Sequence, residues 1–367
     1  IIIGYDNDAA GKEATEKLIK VLPKGRIHIA NWRYNDPNEY IWDNVNGIQV
    51  DRTKAFINDF WTAKKYVPAS IVVSKSLYEK VLEGARVPKI PLPPFMSKLQ
   101  RMMSGGIPLG YVVNIGAASG GGKTSLVNEM INYWIFNSPY KIGVVSMELE
   151  AGQYGEAMLS RYVQRKIALI EDMDDKIDYL ESDHVKQAAY HLFNDENGDS
   201  RFHLLDDRDG GVDAIKEVTE ELITTCDCQV IVLDPLQDIL DGMNNEDQAI
   251  FMRWQKGMIK SHGVTFININ HVRKSGSGEK ANSQGAFITE EDFAGSSTIF
   301  KSAGANILAM RDKYAEDDIE RNTTRIDLSK CRWTGLTGHA GEYYYDNATH
   351  TMHDKEVWMK ENNIGEF

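Results

Sequence analysis

A short glycine-rich segment between an apolar stretch and a helical pattern constrains the fold of this chain more than any other feature. It reads Ala117-Ala-Ser-Gly-Gly-Gly122-Lys123-Thr124, after the apolar pattern Tyr111–Ile115 and before an amphipathic pattern that starts near Ser125. Glycines let backbone N–H groups converge on phosphate oxygens, and the helix N-terminus adds its dipole. The segment therefore predicts a phosphate-binding loop, or P-loop, between a buried strand and a helix.

The residue types of this loop match the chemistry of a nucleoside triphosphate bound with Mg²⁺. Lys123 is placed to reach the β- and γ-phosphates, and Thr124 offers a hydroxyl to Mg²⁺. The first position of the motif is Ala117 where glycine is usual, and Gly116 comes one residue too early. The predicted nucleotide-binding residues are Ala117, Ala118, Ser119, Gly120, Gly121, Gly122, Lys123, Thr124 and Ser125.

Apolar strand patterns recur downstream with helical patterns between them, at Tyr111–Ile115, Ile142–Ser146, Val230–Leu233 and Thr265–Ile269. This alternation is typical of a mostly parallel sheet with helices on both faces. We therefore predict an α/β fold for the larger part of the chain.

Four of the ten prolines, Pro88, Pro91, Pro93 and Pro94, fall within seven residues. Such a run forces extended backbone, so it marks a domain boundary. We predict a first domain over residues 1–67, a linker over 68–94 and a second domain over 95–367. The first domain shows its own β/α alternation, with strands at Ile1–Asp6 and Arg26–Trp32 and helices at Gly11–Leu22 and Asp51–Tyr66.

Three polar side chains follow the strands of the second domain. Asp234 ends the apolar strand Val230–Leu233, where a carboxylate holds Mg²⁺ in P-loop proteins, and Glu148 follows the strand Ile142–Ser146, where a carboxylate can activate water. His271 comes just after the strand Thr265–Ile269, within reach of a γ-phosphate. Each also has a structural interpretation: a turn at Asp234-Pro235, an exposed strand end at Glu148, and a packing role for His271.

Composition excludes several classes of protein. A net charge of -13 argues against a uniformly basic clamp for nucleic acid, so DNA contacts must be confined to a few loops. No apolar run approaches eighteen residues, and no signal peptide is evident, so we expect no membrane contact. Three cysteines fit a reducing compartment. The chain starts without Met inside a strand pattern, so we expect a longer polypeptide.

The order of the motifs P-loop, Ser146-Met-Glu148, Ile231-Val-Leu-Asp234 and Asn270-His271 resembles that of the hexameric replicative helicases with a RecA-type core. The primase-helicase group of phage T7 and the mitochondrial helicase Twinkle is the most similar. Two later stretches strengthen the likeness. Ile288–Ser297 followed by Ala303–Arg311 resembles the fourth helicase motif, and Leu328–Gly338 resembles the Lys-x-Arg finger segment. Gly341–Tyr345 resembles the closing strand. The resemblance spans Leu92 to about Tyr345.

The resemblance implies a role for each motif residue. Lys123 and Thr124 would bind phosphate and Mg²⁺, Glu148 would be the general base, Asp234 would support the metal, and His271 would sense the γ-phosphate. Arg332, helped by Lys330, would be a finger inserted into the neighbouring subunit's site.

The same resemblance implies the partners and the setting. It implies ATP or dTTP as substrate, single-stranded DNA translocation from 5′ to 3′, a ring of six or seven subunits and a replicative DNA polymerase as partner. The expected location is the cytoplasm of a phage-infected host or an organellar nucleoid. The sequence leaves open which nucleotide is preferred.

The first domain resembles the C-terminal part of a TOPRIM primase fold. Tyr5-Asp6-Asn-Asp8-Ala-Ala-Gly11 resembles the Asp-x-Asp element, whose carboxylates bind Mg²⁺, and Asn35-Asp36-Pro-Asn38-Glu39 resembles a later segment. The resemblance therefore implies Asp6 and Asp8 as metal ligands. The upstream Glu of that fold and a zinc ribbon are not in this sequence, so we do not expect priming from this fragment alone.

Two further segments carry expectations. Arg273, Lys274 and Lys280 lie in a glycine-containing loop directly after His271, which predicts a basic loop that binds DNA in response to the phosphate state. A short helix from Ser76 to Gly84 presents Leu77, Tyr78, Val81 and Leu82 on one face, with Ser76 as its predicted N-cap. The resemblance implies that this linker helix packs on the adjacent subunit.

Two other classes of function remain to be weighed. A RecA-like recombinase or regulatory ATPase would share the P-loop core, but the Lys330-x-Arg332 segment and the TOPRIM remnant favour a helicase. A small-molecule kinase would need a lid with several arginines after the P-loop, a feature that this sequence does not show.

Overall fold

The chain divides into two units, Ile1–Arg86 and Val87–Phe367. The computed structural model describes residues 1–40, 43–45, 48–68, 71–205, 211–273 and 281–364, without the side chains of residues 38, 43–45 and 48–50. The division between Arg86 and Val87 falls inside the predicted linker 68–94.

Among its described residues, the first unit contains short strands and three α-helices. Its elements are β1 (Ile2–Ile3), α1 (Ala9–Val21), β2 (His28–Ile29), β3 (Asp43–Val45), β4 (Ile48–Val50), α2 (Thr53–Trp61), β5 (Lys64–Lys65) and α3 (Leu77–Arg86). The strand β1 pairs in parallel with β2, and β5 pairs antiparallel with β2. Ile3, Ile19 and Ile27 form one buried cluster between the sheet and α1.

The predicted helix Asp51–Tyr66 is wrong at both ends. The helix α2 runs only from Thr53 to Trp61, and the following residues turn back so that Tyr66 N–H donates to the carbonyl of Ile27 at 2.9 Å. Pairing of β5 with β2 satisfies backbone groups that a longer helix would have satisfied internally. The predicted strands Ile1–Asp6 and Arg26–Trp32 are likewise reduced to two paired residues each.

The helix α3 has an apolar face without a core beneath it. Every residue from Leu77 to Arg86 is at least partly exposed, and Tyr78 and Val81 are 69% and 66% exposed. The helix continues past Gly84 to Arg86, two residues further than predicted. The predicted cap is also wrong, because the Ser76 hydroxyl donates back to the carbonyl of Val73 at 2.9 Å.

The second unit holds the large sheet. Its strands are β6 (Val112–Ala117), β7 (Lys141–Ser146), β8 (Phe202–Leu205), β9 (Cys228–Asp234), β10 (Thr265–His271), β11 (Ala305–Met310), β12 (Thr323–Cys331), β13 (Gly338–Asp346) and β14 (Thr351–Asp354). Its helices are α4 (Ser97–Met102), α5 (Lys123–Asn137), α6 (Ala151–Tyr162), α7 (Met173–Glu181), α8 (Asp183–Phe193), α9 (Val212–Thr224), α10 (Leu236–Ile239), α11 (Asn245–His262), α12 (Thr298–Ser302), α13 (Asp318–Arg321) and α14 (Lys355–Glu361).

The sheet order is β14-β13-β12-β11-β6-β10-β9-β7-β8. The six strands from β11 to β8 run parallel, and β12, β13 and β14 continue the sheet antiparallel. This arrangement confirms the predicted α/β fold with a mostly parallel sheet. It also brings the carboxyl ends of β6, β7, β9 and β10 to one edge, where Ser146 lies level with Asp234 and His271 level with Ala117.

Alternate residues of the central strands pack on opposite faces of the sheet. In β9, Val230 and Val232 pack with α5 and α6 on one face, whereas Ile231 and Leu233 pack with α9 and α11 on the other. Because both faces are covered, these strands read as continuous apolar runs in the sequence.

The proline-rich segment is anchored on the second unit and is not a free tether. Ile90 is fully buried and pairs with Ile107, and Trp134 Nε1–H donates to the carbonyl of Pro91 at 2.6 Å. The Tyr140 hydroxyl donates to the carbonyl of Pro88 at 2.6 Å. The anchored chain therefore starts two residues after the end of α3.

Candidate functional site

The P-loop joins the buried strand β6 to α5 through glycines in the left-handed region. Gly120 has φ +73° and Gly122 has φ +84°, conformations that side chains with a Cβ rarely adopt. The loop is closed by a hydrogen bond from Gly121 N–H to the carbonyl of Ala118 at 2.9 Å. The first backbone N–H groups of α5 lack acceptors within the helix, an arrangement that suits a phosphate.

The structure explains the two departures from the usual P-loop pattern. Ala117 is the fully buried last residue of β6 and pairs with strands on both sides, so it belongs to the sheet more than to the loop. Gly116 is needed for packing, because a Cβ at this position would lie 1.9 Å from the ring of Phe293.

Lys123, His271 and Glu148 form a chain of contacts at the carboxyl edge of the sheet. Lys123 Nζ lies 3.1 Å from His271 Nδ1, and His271 Nε2 lies 3.6 Å from Glu148 Oε1. An ammonium group is only a donor, so Nδ1 accepts and the ring proton sits on Nε2, toward Glu148. The structure thus brings together residues from three segments that are far apart in the sequence.

The charged groups that make these contacts affect one another's pKa. Burial lowers the pKa of the Lys123 ammonium, and the carboxylates of Glu148, Asp234 and Asp238 oppose that shift. The contact with His271, with the charge of Lys123, lowers the pKa of Glu148. The lowered pKa keeps Glu148 ionised near neutral pH, and water can reach its side chain, which is 43% exposed. An ionised carboxylate that contacts water can accept a proton from it.

Asp234 ends β9 beside these three residues and carries a buried oxygen that has no partner among the described residues. The residue is 7% exposed, and its Oδ1 makes no hydrogen bond to any described residue. Burial, helped by the charge of Glu148, raises the pKa of Asp234 to about 6, and the charge of Lys123 opposes the shift. A bound cation would satisfy the orphaned oxygen.

The donor set fits Mg²⁺ held jointly by the protein and a nucleotide. Thr124 and Asp234 are the predicted ligands, and Thr124 is close enough to Asp234 to lower the pKa of that carboxyl. Within the described part of the chain, no group of three or more His, Cys, Asp or Glu side chains is arranged to hold a metal ion. Mg²⁺ needs no such cage, since it keeps water and substrate phosphates as ligands beside one or two protein oxygens.

Three residues near the site were not found from the sequence. Gln237 accepts from His271 N–H at 2.7 Å and donates to Asn270 Oδ1 at 3.2 Å, so it fixes the segment that carries the histidine. Asp238 shares the electrostatic field of Glu148 and Lys123. Lys313 Nζ lies 3.4 Å from the position that a Cβ would take on Gly120. Gln237 and Asp238 lie in α10, and the signal for them was their closeness to Asp234 in the sequence.

The predicted finger residues lie at the other edge of the sheet. Lys330 Nζ donates to the carbonyls of Phe300 and Lys301 at 3.0 Å, and Arg332 donates to that of Lys301 at 2.8 Å. Backbone bonds link Arg332 through Gly304 to Val112, which is five residues before the end of β6. Five strand residues span roughly 16 Å, so the structure does not bring Arg332 to the P-loop of its own chain.

The basic loop is described only at its start. Arg273 donates to the carbonyl of Gly295 at 2.9 Å, whereas Lys274 and Lys280 lie outside the described residues.

In the first unit, Asp8 caps α1, because its carboxylate accepts from Gly11 N–H at 2.7 Å. The exposed Asp6 precedes it, and Asn7 N–H donates to the carbonyl of Asn35 at 2.7 Å. The structure therefore joins the two segments that resemble TOPRIM elements. The proposed metal ligands Asp6 and Asp8 remain a prediction.

A cavity of about 510 Å³ adjoins the P-loop between α5 and α6. Thr124 and Ser125 of α5 are among its lining residues, as are Lys166 and His350. Its position next to the phosphate-binding residues makes it a continuation of the same site.

The fold and the site together define a P-loop domain with a RecA-like α/β fold. The chain belongs to the AAA domain family, whose model matches residues 93–277, just over half of the chain. A second model, described as Toprim-like, matches residues 1–41.

The chain is also similar to the DNA helicase/primase of Enterobacteria phage T3, with 27% identity over 362 residues that cover 95% of this chain. It spans 60% of the length of that protein. This finding and the two family matches confirm the predicted resemblance to the T7-type primase-helicases.

Solved structures share the fold at low identity. A structure described as an ATPase domain superposes with a TM-score of 0.57 at 15% identity and covers 76% of this chain and 96% of that one. A DnaB-like replicative helicase, solved in a study of its interactions with primase, gives a TM-score of 0.59 at 14% identity, over 83% of this chain and 71% of that one.

None of the helices among the described residues has the length and hydropathy that a membrane crossing needs.

Proposed function

We propose that this chain is the motor part of a replicative primase-helicase, which hydrolyses a nucleoside triphosphate, moves 5′ to 3′ along single-stranded DNA and separates the duplex. Similarity to the phage T3 helicase/primase over 95% of the chain supports the class. The contact chain Lys123–His271–Glu148 beside Asp234 supports the chemistry. A replicative DNA polymerase is the expected partner of the assembly.

The chemical step follows from the carboxyl edge of the sheet. Glu148 accepts a proton from a water that attacks the γ-phosphorus, while the bond from that phosphorus to the bridging oxygen of the β-phosphate breaks. Lys123 offsets the charge on the phosphate oxygens, and a Mg²⁺ ion held by Thr124 and Asp234 would supply further charge neutralisation when bound. Lys123 reaches the phosphate by giving up its contact with His271 when the nucleotide binds.

His271 links the phosphate to the DNA-binding loop. Its backbone N–H is bound by Gln237, whose side chain also donates to the carbonyl of Ala294 at 3.3 Å. Arg273 holds the next carbonyl, that of Gly295. A shift of His271 on γ-phosphate release is therefore transmitted directly to the segment that carries Arg273, Lys274 and Lys280.

The observation that carries the oligomeric part of the proposal is the position of Arg332. Arg332 lies level with Val112 at the amino edge of the sheet, about 16 Å along β6 from its own P-loop. An arginine finger stabilises transition-state charge by about 10³- to 10⁵-fold in related chemistry. A finger at this edge can serve only the site of a neighbouring copy, which supports a ring.

The exposed face of α3 supplies a contact for such a ring. An isolated helix of ten residues is unstable in water, so Leu77, Tyr78, Val81 and Leu82 need a surface to cover them. The second unit exposes Met173 and Ile177 one turn apart on α7. We assign these two apolar surfaces to contact between adjacent copies.

One experiment tests the whole proposal. Hydrolysis of ATP and dTTP is measured with and without single-stranded DNA, and the mass of the assembly is determined in the same buffer. We expect closed rings of six or seven chains and a rate that DNA increases at least severalfold. Filaments of unlimited length would instead indicate a RecA-like recombinase, and a monomer with full DNA-independent activity would contradict the proposal.

A further inference from the structure

The cavity beside the P-loop contains a buried amide that lacks a partner. Asn128 lies one turn after Thr124 on α5, lines the cavity and is 2% exposed. Its Oδ1 makes no hydrogen bond to any described residue. A buried acceptor without a donor is costly, so the observation indicates a donor that arrives with a ligand.

A buried ion pair links the elements around the cavity. Arg161, 4% exposed, lies opposite on α6, and its Nε pairs with Glu129 Oε1 at 3.3 Å. Glu129 in turn accepts from Met352 N–H at 3.2 Å. The ion pair therefore ties α5, α6 and β14 together around the cavity, whose volume is typical of small-molecule sites.

The position of Asn128 identifies the part of the ligand that it meets. Four helical residues rise about 6 Å along the helix axis, so Asn128 lies about 6 Å beyond Thr124, which is predicted to bind phosphate and Mg²⁺. A sugar spans a similar distance. The group that follows the phosphates in a nucleoside triphosphate is the sugar, whose hydroxyls are hydrogen-bond donors.

We propose that Asn128 Oδ1 accepts a hydrogen bond from a hydroxyl of the nucleotide's sugar, which makes Asn128 a specificity-determining residue. This inference rests on the proposed nucleotide hydrolysis and adds to it the means by which the sugar is recognised. A site built to bind a hydroxyl rejects the analogue that lacks it, because the buried acceptor is then left unpaired.

The test compares binding of nucleotides that differ only in the sugar. Equilibrium affinities for ribo-, 2′-deoxy- and 2′,3′-dideoxynucleoside triphosphates are measured with Mg²⁺ in the Glu148→Gln background, which prevents turnover. We expect the wild-type cavity to favour a hydroxyl-bearing sugar over the dideoxy sugar by roughly 5- to 50-fold. Asn128→Leu should remove that preference and leave the affinity for inorganic tripolyphosphate unchanged within about twofold.

A matched control is available one turn further along the same helix. Asn132 does not line this cavity, and Asn132→Leu should keep the full preference for the hydroxyl. Asn128→Ser, which is too short to reach the sugar, should repeat the loss even if the leucine variant folds poorly.

Three results separate the possible failures. An unchanged sugar preference in both Asn128 variants would overturn the inference. A changed preference among bases at constant sugar preference would also overturn it, because Asn128 would then contact the base. Failure of the wild-type protein to bind tripolyphosphate and every nucleotide would instead refute the proposed function itself, and the inference with it.

Discussion

At the scale of single residues, the site depends on carboxylates that have similar positions in the sequence and different surroundings in the fold. Glu148 and Asp234 each follow or end a parallel strand at the same edge of the sheet. Burial raises the pKa of Asp234 to about 6, whereas contact with His271 lowers that of Glu148. The buried Asp234 is suited to bind a cation, and the ionised Glu148 is suited to accept a proton.

We expect Glu148→Gln to keep nucleotide binding and to lower hydrolysis by about 10²- to 10⁴-fold, because an amide cannot accept the proton of the attacking water. Binding is measured by titration and turnover by phosphate release. Glu171→Gln, which removes an exposed carboxylate before α7, is the matched control and should change neither. Near-normal turnover in Glu148→Gln would remove Glu148 from the mechanism.

A second residue-scale prediction concerns pH. The folded protein holds the Asp234 proton more tightly than the unfolded chain does, where an aspartate titrates near about 3.9. Stability from this residue is therefore present at low pH and is lost as the pH rises through about 6. Without Mg²⁺ or nucleotide, Asp234→Asn should raise the melting temperature by roughly 3–6 °C near neutral pH and by less in mild acid.

The same variant should lose Mg²⁺-dependent hydrolysis, so that stability and activity change in opposite directions. Asp241→Asn, in the exposed turn after α10, serves as the control and should alter neither quantity. A lower melting temperature of Asp234→Asn near neutral pH would show that the buried charge is stabilised in the folded protein.

At the scale of elements, the strands of the second unit were predictable because burial on both faces leaves a continuous apolar run. The predicted strand Val230–Leu233 lies inside β9, and the predicted strand Thr265–Ile269 lies inside β10. The first unit was less predictable. Its strands pair over only two residues, so tertiary hydrogen bonds, which no local pattern encodes, decided where α2 ends.

Some residues of the candidate site could likewise be predicted from the sequence, and others could not. Lys123, Glu148, Asp234 and His271 could be predicted, because parallel strands bring their carboxyl ends together. Gln237 and Asn128 could not be, since their roles depend on a partner or an empty space contributed by a distant segment. The anchoring of the proline segment was also missed, because an extended run gives no sign of what it packs against.

We expect Leu77→Asp with Leu82→Asp on α3 to convert rings to monomers that remain folded. Two charges would have to enter an apolar contact between copies, whereas the monomer already exposes both positions. Mass measurement and circular dichroism check the two halves of this prediction. Lys75→Asp with Lys80→Asp adds as many carboxylates beside the apolar face and should leave the rings intact. Rings of unchanged size in the leucine variant would show that the second units assemble without α3.

At the scale of the whole molecule, a net charge of -13 would confine the proposed DNA binding to local basic surfaces. We expect replacement of Arg273, Lys274 and Lys280 by Ala to weaken single-strand binding and to reduce its dependence on salt, because fewer counterions are released. Hydrolysis without DNA should be retained. Replacement of Lys12, Lys17 and Lys20 on α1 is the control for overall charge. An unchanged salt slope in the loop variant would rule the loop out as a DNA contact.

A mixing experiment tests whether sites are shared between copies. Arg332→Ala chains and Glu148→Gln chains are each expected to be inactive, and their mixture should recover part of the hydrolysis. In the mixture, an intact Arg332 can serve the intact Glu148 of a neighbour. No recovery at any ratio would place Arg332 within its own subunit's site or outside the mechanism.

The finger and the P-loop lie at opposite edges of one sheet, and with a finger that acts between copies this separation decides when hydrolysis begins. A closed ring completes as many sites as it has subunits, an open chain of copies always lacks one, and a lone copy completes none. Newly made chains would therefore stay idle among cellular nucleotides until they meet their neighbours. Assembly becomes the switch for the motor, and turnover per chain reports how much of the protein has closed into rings.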